Sequence, residues 1–430
     1  MTREQTTGAL GIVVGGGPAP GINAVIAAAT IRTRLSGTRV VGIQNGFERL
    51  MTSDAVEADA FRELDIKDVS RIHFRGGSML GTSRANPTKS DDMLDQVLEN
   101  LQAAGIDKLV TIGGDDTSFT CSRLAGRSGG TLSVAHVPKT IDNDLDLPAS
   151  IDTFGYQTAR AVGVEVVQNL MVDAKTTNRW YLVIAMGRKA GHLALGIGKA
   201  AGATLTVVPE ECDAAGMSLD RLADILAGSI IKRRSEGRGD GVAVVAEGVA
   251  LAFDPEELEA LENLQRDEHG HVRLAEVDLG NLLKDAVHQR LQALGIDCTL
   301  VSKNIGYELR CADPVPSDME YCRDLGYCAG KYLLEGGSGD LISMQGGSFI
   351  PIPLTELIDP STGRMQVRMI DVSSTRYAIS RSYMIRLRRS DFSNPTSLAR
   401  LASTAGLSPE LFRERFEYLV DGELPPLVLR

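Results

Sequence analysis

Short apolar runs rich in β-branched residues alternate with longer stretches of helical periodicity through the first half of the chain: GIVVGG, a helix from about Ile22 to Leu35, then RVVGI. The pattern recurs in DKLVTIGG, a helix through Phe119 to Leu124 and LSVAHVP, and again in RWYLVIAM, a further helix and TLTVVP. Strands joined by helices of this length imply parallel sheets covered on both faces, a doubly wound α/β protein. Glycine clusters follow the strands at Gly15 to Gly17, Gly113 to Gly114 and Gly187. In open parallel sheets that carboxyl edge is where ligands bind. The stretch RSEGRGD, Arg234 to Asp240, reads as an exposed loop before the strand VAVVAEG; Phe253 to Arg273 reads as a charged, exposed helical insertion; and ELPPLVLR reads as an extended tail. No internal repeat is visible.

A length of 430 residues exceeds one ordinary compact core, so two domains are expected, with an active-site cleft between them. The composition, 43% hydrophobic and 23% charged, is that of a globular enzyme and excludes disorder as the default. A net charge of −11 argues against a nucleic-acid footprint and against an anionic membrane surface, so any anionic substrate must meet a local cluster of basic residues. The opening MTREQTTGAL lacks signal-peptide character and no apolar stretch approaches membrane-spanning length, which gives a cytosolic expectation. The cysteines at 121, 212, 298, 311, 322 and 328 form no C-x-x-C pair and read as reduced thiols. His269 and His271 lie in the charged run RDEHGH, where a solvated loop is favoured over a zinc site.

Three segments carry candidate chemistry. In GIVVGGGPAPGINAVI a strand delivers glycines to a helix start, an arrangement that lets backbone N–H groups approach a phosphate. No Gly-Lys-Ser/Thr follows, and Pro20 stands where G-x-G-x-x-G needs its last glycine; alone, the segment reads equally as an unliganded tight turn. TIGGDDTSF repeats the strand, glycine pair and helix start. Asp115 and Asp116 stand where one carboxylate can share Mg²⁺ with phosphates, against the alternative that Asp116 or Thr117 merely caps the helix. HVPKTIDNDLDLP is the most informative, since phosphoryl transfer needs an acid to accept the hydroxyl proton, an acid near the metal and a cation facing the transferred group. Asp142, Asp144 and Lys139, with Thr140, supply all three; an isolated DND would instead read as an Asx-turn of solvated acids.

The segments GGGPAPGINAVI, GGSMLGTSR, IGGDDT, PKTIDNDL, FGYQTA and MGRKAGHLAL occur in the order and approximate spacing of the phosphofructokinase family, which the chain resembles over at least residues 11 to 345. The resemblance implies two doubly wound, Rossmann-like parallel-sheet domains with the active site in the cleft between them. It places a donor domain at 1–153 with about 308–345, and a sugar-phosphate domain at about 154–307 with 346–430. It implies Asp142 as general base toward the sugar 1-hydroxyl, Asp115 as the Mg²⁺-associated acid and Asp144 as a supporting acid. Gly16, Gly17, Arg84, Asp116 and Thr117 then hold the donor, and Lys139 and Arg188 stabilise charge. Thr140, Met186, Gly187, Glu247, Tyr307 and Arg310 match sugar-phosphate contacts, with Lys303 the nearest candidate for a further one. Arg179 matches an arginine that reaches the substrate of a neighbouring subunit, which implies a homo-oligomer, dimer or tetramer.

Family members that use ATP typically carry glycine at the positions of Asp116 and Lys139. A carboxylate at 116 repels a nucleotide α-phosphate and Lys139 neutralises pyrophosphate, so the pairing GGDD with PKTIDND resembles the pyrophosphate-dependent branch. The implied partners are fructose 6-phosphate and pyrophosphate. Two departures stand out: Pro18 occupies a position usually held by Asp, and Ala27 and Ile31 replace the two effector-site arginines of bacterial ATP-dependent relatives, which implies no ADP activation. The competing readings are an ATP-dependent phosphofructokinase that tolerates Asp116, a non-catalytic sugar-phosphate sensor, which has no need of a general base, and a dinucleotide-dependent oxidoreductase, disfavoured by the missing fingerprint.

Overall fold

The structure, a computed structural model, describes residues 8–55, 59–148, 151–211, 216–253 and 278–429. The expected charged insertion, with His269 and His271, lies beyond Phe253 and outside these residues; Cys212 also lies outside them. The described chain divides into two compact units, one taking the chain up to Ala159 with Tyr307–Arg368, the other Arg160 to Gly306 with Met369 onward.

In the first unit the chain runs β1 (Ala9–Val14), α1 (Ile22–Arg34), β2 (Val40–Ile43), β3 (Phe61–Leu64), α2 (Ile66–Val69), α3 (Asp91–Ala103), β4 (Ile106–Gly113), α4 (Asp115–Arg127), β5 (Ser133–Thr140) and β6 (Phe154–Gly155). A returning segment adds the helix Pro316–Leu334 and the strands Asp340–Leu341 and Ile352–Pro353. The sheet order is Ile352–Pro353, Asp340–Leu341, β5, β4, β1, β2, β3, with β6 beside β5. β1 reads apolar at consecutive positions because both of its faces are covered. Leu10, Ile12 and Val14 join a core with α1 and the helix Pro316–Leu334, while Ala9 and Val13 join another with α3 and α4. Glycines permit the close approach of α1 to its partner helix: a methyl on Gly326 would stand 2.4 Å from the Val25 carbonyl oxygen.

The α/β class with parallel-strand sheets holds, with antiparallel edges added to the first sheet, and one domain boundary is corrected. The first sheet is mixed, because β3 pairs antiparallel with β2 and Ile352–Pro353 pairs antiparallel with Asp340–Leu341. Between β2 and β3 the described chain contributes only the 3-10 turn Arg49–Met51 and no crossover helix, so the strand returns beside its predecessor. Residues 346–368 also stay with the first unit rather than the second. Leu354, Leu357 and Met365 are buried in the core with Cys121 and Leu124 of α4, and Val367 bridges to Leu145.

The second unit holds α5 (Tyr156–Thr177) from Arg160 on, β7 (Trp180–Ala185), α6 (His192–Ala201), β8 (Leu205–Val207), α7 (Leu219–Ser235), β9 (Gly241–Ala246), the helix Leu279–Ala293 and β10 (Leu300–Ile305). Its sheet, ordered β10, β7, β9, β8, is parallel throughout, and every residue of β7 and β9 is buried. The loop expected from Arg234 starts later, since α7 runs to Ser235 and buried Arg233 donates to the Asp240 carbonyl. The tail from Glu423 to Leu429 is non-helical and, apart from Glu423, exposed, as its prolines suggest. The five described cysteines are free thiols, and among the described residues no helix is long and apolar enough to cross a membrane.

Candidate active site

Strand register brings together the residues expected at the donor. Val14 pairs with Ile112 and Gly113 with Pro138, so the turns after β1, β4 and β5 leave the sheet at adjacent positions on its carboxyl edge. The first turn is fixed by backbone bonds, Gly15 N–H to Ile112 O at 2.9 Å and Gly16 N–H to Ser83 O at 2.8 Å, and by Thr82 Oγ1, which donates to Gly16 O at 2.7 Å. This ties the segment carrying Arg84 to the glycine loop. Glycine is required where the turns converge: a methyl on Gly15 would lie 2.3 Å from Thr117 Oγ1, and one on Gly113 2.2 Å from Thr117 Cβ. Thr117 is therefore the buried wedge between the two loops.

Lys139 sits at the centre of this edge. Its side chain is buried, donates to the Gly17 carbonyl and lies against Gly16. Desolvation, followed by the positive charge of Arg310, drives its pKa down from 10.5 to about 7; Asp142 and Asp115 oppose the shift and Arg84 adds to it. Two carboxylates and two arginines thus act on this one ammonium. Arg310 stands beside Gly17 and stacks on Tyr307, its guanidinium carbon 5.0 Å from the ring centroid. Both residues, expected at the sugar phosphate, belong to the first unit, and Arg310 faces the donor-side glycines.

Asp115 and Asp116 occupy the first turn of α4, half-buried, where the helix dipole favours negative charge. The N-cap position itself falls on Gly114, so Asp116 and Thr117 stand inside the helix rather than at its cap. In the acidic loop after β5, Asp142 and Asp144 are buried. Thr140 Oγ1 accepts from the Asp142 N–H at 3.0 Å, and Asn143, between the two acids, takes a left-handed φ of 57°. Asparagine tolerates that conformation, and its side chain holds the turn by donating to Asp152 at 2.8 Å and accepting from the Thr153 N–H at 3.0 Å. Solvated acids on an Asx-turn are not what the chain builds here. Among the described residues no three His, Cys, Asp or Glu gather into a metal cage. The carboxylates present, Asp115 and Asp142 acting on the same ammonium with Asp144 two residues further along the loop from Asp142, are hard oxygen donors of the kind that suit Mg²⁺.

The second unit presents a separate constellation. Ala185 pairs with Ala246, so the loops that follow β7 and β9 emerge side by side. Glu247, buried, accepts from the Gly187 N–H at 3.1 Å and the Arg188 N–H at 2.9 Å. Arg188 is held at a left-handed φ of 52°, an unfavourable conformation for a non-glycine residue that the Glu247 bonds help to enforce. Met186 is buried, its N–H donating to Ile305 O at 3.0 Å. Lys303 lies exposed on the edge strand β10, in register with Val183. Arg179 precedes β7 and pairs loosely with Asp173 at 3.9 Å. The six residues of β7 lie between Arg179 and Met186, so about 20 Å of strand separates Arg179 from the loop of Arg188.

Two residues escaped sequence reasoning. Glu210 accepts from the Gly191 N–H at 2.9 Å and the Ile370 N–H at 3.0 Å, fastening the end of the Arg188 loop; burial pushes its carboxyl pKa up. Arg368 grips the acidic loop through backbone carbonyls. Neither stands in a motif with chemical spacing, so no sequence signal marked them. Ala27 is buried and Ile31 half-buried on α1, both packed in the core shared with the helix Pro316–Leu334.

The buried ammonium gives a testable signature. Between pH 7 and 10.5 the unfolded chain keeps a proton that folded Lys139 has lost, so this group's destabilisation is complete below about pH 7 and is relieved as pH rises through that window. Lys139→Met is expected to melt above the wild type at about pH 6, the gap closing toward pH 10. An equal gap at both pH values in thermal melts would show that Lys139 is not desolvated.

The phosphofructokinase family matches residues 9–333 of the chain. The pyrophosphate–fructose 6-phosphate 1-phosphotransferase of Thermotoga maritima is 48% identical over 421 residues, covering 97% of this chain and 99% of its own. The enzyme of the same name from Naegleria fowleri is 47% identical over 420 residues, covering 96% and 95%. A pyrophosphate-dependent phosphofructokinase from Nitrosospira multiformis shares the fold, with a TM-score of 0.65 at 18% identity over 99% of this chain and 94% of that one. With the glycine turns, the acidic loop and the Arg188 loop each built on a strand end, the chain belongs to the phosphofructokinase family.

Proposed function

We propose that the protein is a cytosolic, pyrophosphate-dependent phosphofructokinase, reversibly transferring a phosphoryl group from pyrophosphate to the 1-hydroxyl of fructose 6-phosphate. The observation that carries this reading is the buried Lys139 under the first glycine turn, with Asp116 in the first turn of α4. An ammonium already desolvated gains most from a compact dianionic donor. The Asp116 carboxylate disfavours an α-phosphate extending past the same turn.

In the mechanism Gly16, Gly17, Arg84 and Thr117 shape the donor cradle. Asp142 accepts the proton of the sugar 1-hydroxyl as its oxygen attacks in line, and Lys139 and Arg188 neutralise charge developing on the transferred group. Asp115, with Asp144 as a supporting acid, would hold Mg²⁺, which when bound would supply charge neutralisation on the donor. Thr140, Met186, Gly187, Glu247, Lys303, Tyr307 and Arg310 orient the sugar phosphate. Arg179, a strand's length from the Arg188 loop, acts on the substrate of a second subunit in a homo-oligomer.

The test is initial rates with fructose 6-phosphate and Mg²⁺ at equal enzyme, comparing pyrophosphate with ATP. Turnover with pyrophosphate and little with ATP is expected. The reverse would retain Asp142 but overturn the donor assignment, and silence with both would favour a non-catalytic sensor.

A further inference from the structure

The acidic loop concentrates negative charge: Asp142, Asp144, Asp146 and Asp152 lie within eleven consecutive residues. Mutual repulsion opposes the compact turn that brings two of these acids to the end of β5. Residues 366–368 run antiparallel beside this loop, Val367 bridging Leu145 and the Arg368 N–H donating to Asp144 O at 2.8 Å. From there the guanidinium reaches both arms of the loop. Nε and Nη2 donate to Asn143 O at 3.2 and 3.1 Å, Nη2 also to Asn143 Oδ1, and Nη1 to Ile151 O at 2.8 Å and Leu147 O at 3.3 Å. One side chain therefore holds the left-handed residue between the two acids and the far end of the same loop. Asp152, Asp144 and Asp146 all act electrostatically on it.

We infer that Arg368 is the positioning residue of the acidic loop, fixing Asp142 and Asp144 in their reactive geometry through the carbonyls of Asn143, Leu147 and Ile151. Its donors are occupied by carbonyls, so its effect on the reaction passes through the loop. Lysine cannot replace it: a single ammonium has neither the planar fork nor the reach to hold both arms at once. The inference rests on the proposed roles of Asp142 and Asp144, but the clamp itself can be tested apart from them.

The experiment uses the full chain as wild type, Arg368→Ala and Arg368→Lys, with two readouts. Steady-state kinetics with pyrophosphate and fructose 6-phosphate should show kcat reduced roughly 10- to 100-fold in both variants, as expected for an ångström-scale misplacement, with each KM within about threefold. Added guanidinium ion should restore part of the Ala variant's turnover. Hydrogen–deuterium exchange should speed up within 141–153 and stay unchanged in β1, β4 and the second unit. The inference is overturned by an Arg368→Lys enzyme with near wild-type kcat, or by loss of kcat that follows exchange rising throughout the protein. Should Arg368→Ala fail to fold, the Lys variant decides. Should the wild type show no turnover with pyrophosphate, the functional reading fails while the exchange pattern still judges the clamp.

Discussion

Asp142→Ser is expected to lower kcat by ~10² to 10⁴-fold, the range general-base catalysis supplies, while fructose 6-phosphate binding changes little. Serine preserves the size of a small polar side chain and leaves the Asp142 N–H free to donate to Thr140 Oγ1, so the turn survives. What is lost is a carboxylate able to take a proton from the attacking hydroxyl. The Gly187 and Arg188 N–H groups, proposed to serve the sugar phosphate, keep their Glu247 acceptor in this variant. The split should therefore appear as a fallen kcat beside an unchanged dissociation constant, measured by steady-state rates and by calorimetric titration with the sugar phosphate. Turnover near that of the wild type would remove Asp142 from the base role. A parallel collapse of sugar binding would make it a structural residue instead.

Much of this architecture was legible because the informative signals are local. A strand covered on both faces must be apolar at successive positions, as β1 is from Ala9 to Val14, and the residues that end such strands are confined to what a tight turn allows. Gly15 and Gly113 are readable for that reason, although the side chain that demands them, Thr117, emerges only in three dimensions. The antiparallel edges were illegible because a two-residue strand such as Asp340–Leu341 has no periodicity. Its partners are chosen by sheet edges left open by distant segments. Arg368 and Glu210 were missed for a related physical reason. Each acts on backbone groups, N–H or carbonyl, and backbone groups are the same whatever residue carries them. A motif records side chains that meet substrate; it is silent about those that hold the loop in place.

The donor preference should move when the two charged positions are returned to glycine together. In Asp116→Gly with Lys139→Gly, kcat/KM for pyrophosphate is expected to fall by ~10² to 10³-fold, the scale of losing one preorganised charge contact to the transferring group. ATP turnover is expected to rise at least about tenfold. The two changes act on different terms. Removing Asp116 relieves repulsion and vacates space beside Gly114 at the start of α4, which an α-phosphate needs. Removing Lys139 deletes the ammonium that rests on Gly17, beside Arg310 and Arg84. Asp116→Gly alone should therefore admit ATP while keeping most pyrophosphate activity, and Lys139→Gly alone should lose pyrophosphate activity without gaining ATP. With both groups proposed to face the same donor, the double variant should depart from the sum of the singles by more than about 0.5 kcal/mol in a double-mutant cycle. Rates for all four proteins with both donors would decide it. Unchanged ATP turnover in the double variant would place donor selection elsewhere, with Pro18 in the first turn the next residue to exchange.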